Sequence, residues 1–69
     1  MDINAMLYHV KAARAAARQG LPITAATHMR FALQCANALK SPVLRAGCFR
    51  ISNKLRPRVK RARAAAAAI

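Results

Sequence analysis

Six positive side chains fall within ten residues near the C-terminus: Lys54, Arg56, Arg58, Lys60, Arg61 and Arg63. A run this dense attracts nucleic acid, anionic lipid or acidic protein by the same Coulomb force. Arginine forks match phosphate geometry and can also reach guanine edges. Wound into a helix, these side chains would point all round the axis, which suits a groove better than a flat surface. The bland alternative is a solvated tail with no dedicated partner. A second basic set, Lys11, Arg14 and Arg18, is spaced i, i+3, i+7 and would line one side of a helix. An ordinary exposed helix face explains that set equally simply, although no acid is interspersed.

Residues suited to other chemistry are few. Asp2 is the only acid, so paired-carboxylate catalysis is absent. A Cys–His pair can be drawn, but nothing marks either thiol as activated. There is no glycine-rich phosphate loop, and a thin core leaves little room for a pocket. The chain is therefore expected not to be an enzyme and to take no cofactor and no small-molecule substrate. For metal, His28 and Cys35 lie seven apart on one helical face, with Cys48 on the next helix and His9 elsewhere. Zinc usually takes four Cys or His ligands at close spacing, so the expectation is core residues and no metal. The aromatics are only Tyr8, Phe31 and Phe49, which disfavours single-strand recognition by base stacking.

Length and charge set the frame for these candidates. A chain of 69 residues is at most one domain, with a marginal core. Its hydrophobic fraction is inflated by 18 Ala, which favour helix but bury little area. Self-association or a partner is therefore a plausible source of stability. Thirteen Lys and Arg give a net charge of +12, whose self-repulsion an anionic partner would relieve. Solubility alone is a weaker explanation, because it usually comes with mixed signs. Cys35 and Cys48 fall at apolar helical positions and read as buried free thiols, which fits a reducing, cytoplasmic compartment. No secretory signal or membrane span is visible. The basic, acid-poor start has some transit-peptide character, but caps and periodic apolar positions favour a folded module.

Those caps and periodicities define three helices, at about 2–19, 24–40 and 42–55. Asp2 can cap the first, whose stripe is Ile3, Met6, Leu7, Val10, Ala13 and Ala17. Gly20 and Leu21 suit a Schellman ending. Thr24 is the candidate cap of the second helix, with Thr24, Thr27, His28, Phe31, Cys35, Ala38 and Leu39 as its inward face. Ser41-Pro42 starts the third, with Leu44, Gly47, Cys48, Ile51 and Leu55 inward. Gly47 suggests close approach of a neighbouring helix there. Pro57 predicts a break or kink. Residues 1–55 thus read as an all-α three-helix bundle, and 56–69 as a basic, Ala/Arg-rich tail that need not pack but can become helical.

Ala12, Ala16, Gly20, Leu21, Ala26 and Met29 resemble the helix-turn-helix family, which has a small residue in its first helix and Gly four positions later in the turn. The resemblance covers residues 12–30. It departs from the family at Pro22, where a small polar residue is usual, and in helix length. It implies that the second helix enters the DNA major groove, with Thr24, Ala25, Thr27, His28 and Arg30 facing DNA. A plain helical hairpin with a Gly cap carries the same pattern.

The expected function is nucleic-acid binding, to duplex DNA before RNA, with phosphate gripped by residues 54–63 and further contacts from Lys11, Arg14, Arg18 and Arg30. Loose or absent sequence preference follows from the shortage of base-reading side chains. The alternative is a protein-interaction module, an inhibitor or adaptor that binds an acidic protein surface. Exposure of Met6, Tyr8, Val43 and Phe49 would favour it, since aromatic anchors dominate interfaces. Short chains this charged are common among virus-encoded accessory and virion proteins, which would place the chain in a virion or host cytoplasm. Membrane-surface binding ranks below both, because the first helix has a half-Ala apolar face and no Trp.

Overall fold

The computed structural model describes residues 2–68, which form three helices and no strand. α1 spans Ile3–Arg18, α2 spans Pro22–Ala38 and α3 spans Pro42–Ala67. The all-α class holds. Ile69, the end of the expected tail, lies outside the described residues.

Local chemistry sets the boundaries. The Asp2 carboxylate accepts the Ala5 N–H at 2.8 Å and caps α1. Gly20 has φ +76; its N–H donates to the Ala17 carbonyl at 3.1 Å, and the Leu21 N–H donates to the Ala16 carbonyl at 2.9 Å. These are the two bonds of a Schellman ending. α2 closes in the same way around Lys40 (φ 54), whose N–H donates to the Asn37 carbonyl at 3.1 Å. The Ser41 hydroxyl then accepts the Leu44 N–H at 3.3 Å, with Pro42 at the first helical position.

Two boundaries differ from expectation. Thr24 is not a cap: α2 begins at Pro22, with Leu21 at the cap position and no side-chain bond. Pro needs no helical acceptor at that position and carries a helical φ, so it starts the helix without a hydroxyl. Pro57 does not end the third helix either. α3 continues through it for ten more residues, to Ala67. Pro57 and Asn53 are both exposed, so water can reach the Asn53 carbonyl left without its helical donor. Leu55 and Val59, on either side of Pro57, are 9% and 8% exposed. Their burial anchors both halves of the helix, so the basic segment packs in part.

α2 packs against both other helices, whose backbones hardly approach each other. It is therefore the central helix, and this selects which residues are buried. Ala13, Ala25, Ala32 and Ala36 are fully buried, and Met29 is the largest side chain of which that is nearly true. Small residues at the crossings let the helix axes approach closely. The expected inward face of the second helix is corrected accordingly. Thr24, Thr27, Phe31, Ala38 and Leu39 are exposed, whereas Ala25, Met29, Ala32, Cys35 and Ala36 form the core. In α1, Met6 and Ala13 are buried as expected, but Ile3 and Leu7 are exposed. In α3, Cys48 and Leu55 are buried, with Leu44 and Ile51 packed beside them. Gly47 meets no neighbouring helix: a Cβ there would find nothing within 4 Å. The molecule measures 40 × 18 × 15 Å. Its long axis equals the length of α3, since 26 residues rise about 39 Å.

Candidate nucleic-acid interface

All ten basic residues singled out from the sequence are exposed, and so are Lys40, Arg45 and Arg50. The only acidic side chain, Asp2, is at the start of α1, bonded to the backbone there. No other carboxylate side chain exists to neutralise an arginine.

The continuous helix decides how the 54–63 cluster is presented. At 100° per residue, Leu55, Val59 and Ala62 face α2. Arg56 and Arg63 lie along one edge of that face, Lys54, Arg58 and Arg61 along the other, and Lys60 points outward. Positive charge thus covers every side of the helix except the buried one. Beyond Ala62 every described residue is exposed, so the last turn of α3 stands clear of the body.

Two hollows gather cations from different helices. Between α2 and α3, a hollow of about 360 Å³ is lined by Arg30, Ser52, Arg56 and Arg63 over a floor that includes Leu55 and Val59. Three guanidinium groups and a hydroxyl around one depression suit an anion with several oxygens, such as a phosphate. Between α1 and α3, a groove of about 420 Å³ has Arg14, Arg50 and Lys54 at its rim and Val10, Leu44 and Ile51 among its floor residues. The spacing Arg50-Lys54-Arg58 continues one edge of α3 toward its N-terminus; sequence reasoning stopped at Lys54, although the i, i+4, i+8 repeat was there to extend. Lys11 and Arg18 line neither hollow.

The residues that the helix-turn-helix resemblance turns toward DNA have mixed placements. Thr24 and Arg30 are exposed, and Ala25 is buried. Thr27 Oγ1 donates to the Ile23 carbonyl at 3.1 Å, and His28 Nδ1 lies 3.1 Å from His9 Nδ1. Of the four apolar residues that an interaction module would expose, Tyr8, Val43 and Phe49 are exposed and Met6 is buried. Tyr8 packs beside His9 and His28, Phe49 lies beside Arg45, and Val43 edges the α1–α3 groove.

Cys35 and Cys48 are buried free thiols, as expected. Burial, reinforced by the neighbouring Cys35, pushes the Cys48 thiol above its ordinary value, which disfavours the nucleophilic thiolate. Among the described residues no three His, Cys, Asp or Glu side chains converge, and no helix is long and apolar enough to cross a membrane.

No protein-family model matches the chain, and comparison with curated proteins and with solved structures finds no match.

Proposed function

We propose that this protein binds nucleic acid, duplex DNA in the first instance, and that it acts by binding rather than by catalysis. One observation carries the reading. Residues 54–63 belong to an uninterrupted helix whose exposed sides are all basic and whose end stands free of the body. An α-helix fits the major groove of B-DNA, and arginines on both edges would meet phosphates on either side of it. The Arg30–Arg56–Arg63 hollow supplies a further phosphate contact. Under the helix-turn-helix resemblance, Thr24 and Arg30 are the remaining candidates for base contact.

The test is a binding titration against random-sequence duplex DNA, RNA and heparin over a salt series. Affinity should fall steeply with salt, by roughly one unit of log–log slope per phosphate contact. Replacing Arg58, Lys60, Arg61 and Arg63 together by Gln should weaken binding to all sequences alike and flatten that slope. Unchanged affinity in this variant sinks the proposal.

A second reading, a module that binds an acidic protein surface, is favoured by the α1–α3 groove, where an apolar floor meets a basic rim. Absence of DNA binding at low salt would shift the case to it. A virus-encoded inhibitor or adaptor would be one such module.

A further inference from the structure

The groove between α1 and α3 has two partly apolar walls and no element of the chain across it. α1 and α3 each pack on α2 and scarcely touch one another. The three helices thus take three corners of a four-helix arrangement, and the groove is the fourth. Its α1 wall is Leu7, Val10 and Arg14, spaced i, i+3, i+7. Its α3 wall is Val43, Gly47, Arg50 and Lys54, spaced i, i+4, i+7, i+11. Each spacing keeps its residues along one side of a helix. Leu7 is 53% exposed and Val43 81% exposed, so both walls offer apolar surface to solvent.

We propose that this groove docks an acidic amphipathic helix of a partner protein. The inference rests on the second reading above, a module that binds an acidic protein surface, and gives that surface a shape. Dimensions are the first support. From Val43 to Lys54 the α3 wall rises about 16 Å, which is three turns of helix. The groove holds about 420 Å³, room for side chains but not for a helix about 10 Å across. A docked helix therefore lies over the groove and inserts one apolar row against Val10 and Ile51.

Gly47 is the second support. It lines the groove, and a Cβ built on it would meet nothing within 4 Å. Glycine inside a helix is weaker than alanine, and no neighbour within the chain needs the space. A partner backbone crossing α3 at this point does need it.

Charge is the third support and selects the partner. Arg14 stands on one wall and Arg50 and Lys54 on the other. The only acidic side chain, Asp2, is bonded to the backbone of its own helix. Acids on both flanks of the partner's apolar row would meet these cations. A second copy of this chain fits badly, because it brings the same cations to the same place. Duplex DNA would pair with the rim but leave the apolar floor uncovered.

The test uses the full chain and a labelled synthetic peptide of about 18 residues, long enough to hold a helix. The peptide has leucines in one helical row and glutamates on both flanks. A control peptide has the same composition with its leucines scattered round the axis. The patterned peptide should bind about tenfold or more tightly than the control and shift the backbone amide resonances of Val10, Gly47 and Ile51. Gly47→Leu should keep the wild-type helicity, because its side chain enters open space, and weaken the patterned peptide about tenfold or more. Equal binding of the two peptides overturns the proposal and leaves a module that reads acidic charge alone. Groove resonances that stay still in wild type overturn it too, whether or not the variant folds. Groove resonances that move with random-sequence duplex DNA and not with the peptide assign the groove to nucleic acid and overturn it. No binding of either peptide at low salt removes the second reading along with the groove.

Discussion

Gly20 and Lys40 occupy the same position at the ends of successive helices, each in the left-handed region, at φ +76 and φ 54. Glycine adopts this backbone without a Cβ penalty, whereas lysine is strained there. Lys40→Gly should therefore stabilise the protein by roughly 0.5–1 kcal/mol, and Gly20→Ala should destabilise it by a similar or larger amount. Urea unfolding followed by circular dichroism measures both. A destabilised Lys40→Gly would mean that the lysine side chain contributes more than its backbone costs.

Pro57 and Gly47 weaken α3 without visible compensation at their own sites. Pro57 is exposed, and Gly47 opens onto empty space. Gly47→Ala should add about 1 kcal/mol and Pro57→Ala up to about 3 kcal/mol, with higher helicity in the second case. A fall in melting temperature for either variant would show that the native residue relieves a strain elsewhere in α3.

Met29 is the most enclosed large side chain among the described residues, at 1% exposure. Half of the other buried core residues are alanines, which cannot swing in to fill a void. Met29→Ala should cost about 2–5 kcal/mol, enough to unfold a chain of this size near room temperature. A loss below about 1 kcal/mol would mean that the helices close up around the missing side chain.

The Cys48 thiol should make stability fall in alkali. Its proton is held more tightly in the folded state than in the unfolded chain. The contribution is therefore fully present below the ordinary thiol value of 9.0 and is lost as pH rises through the higher folded value. The difference in unfolding free energy between wild type and Cys48→Ala, measured at pH 7 and pH 10, separates the thiol's contribution from the titration of the lysines. The difference should shrink at the higher pH, and a constant difference would refute the assignment.

The parts of the fold that were legible in the sequence are those fixed by neighbouring residues. Asp2, the Gly20–Leu21 pair and Ser41–Pro42 each act within a turn of the helix they start or stop, and each acts as its residue type implies. Burial was less legible. Periodicity favours large apolar residues such as Phe31 and Leu7, yet the crossings are made by alanines, because α2 is covered from two directions and close approach wins over side-chain bulk. Pro57 reads as a stop because its local cost is plain, while the packing of Leu55 and Val59 that outweighs it is tertiary. Within the candidate site, the cations were visible one by one. Their grouping was not, since Arg30 joins Arg56 and Arg63 across an interface that no spacing reveals. The His9–His28 pair was hidden for the same reason.

The central position of α2 has a consequence for how the molecule opens. α1 and α3 each hold to α2 and scarcely to one another, so the body is a row of three units joined by two contacts, as in a very short repeat array. An end unit can leave by breaking one contact; the middle one must break both. Amide hydrogen exchange should therefore be slowest in the middle of α2. A departing α1 would leave an α2–α3 hairpin that still carries Arg30, Arg56 and Arg63, so opening at the N-terminus leaves that basic hollow intact.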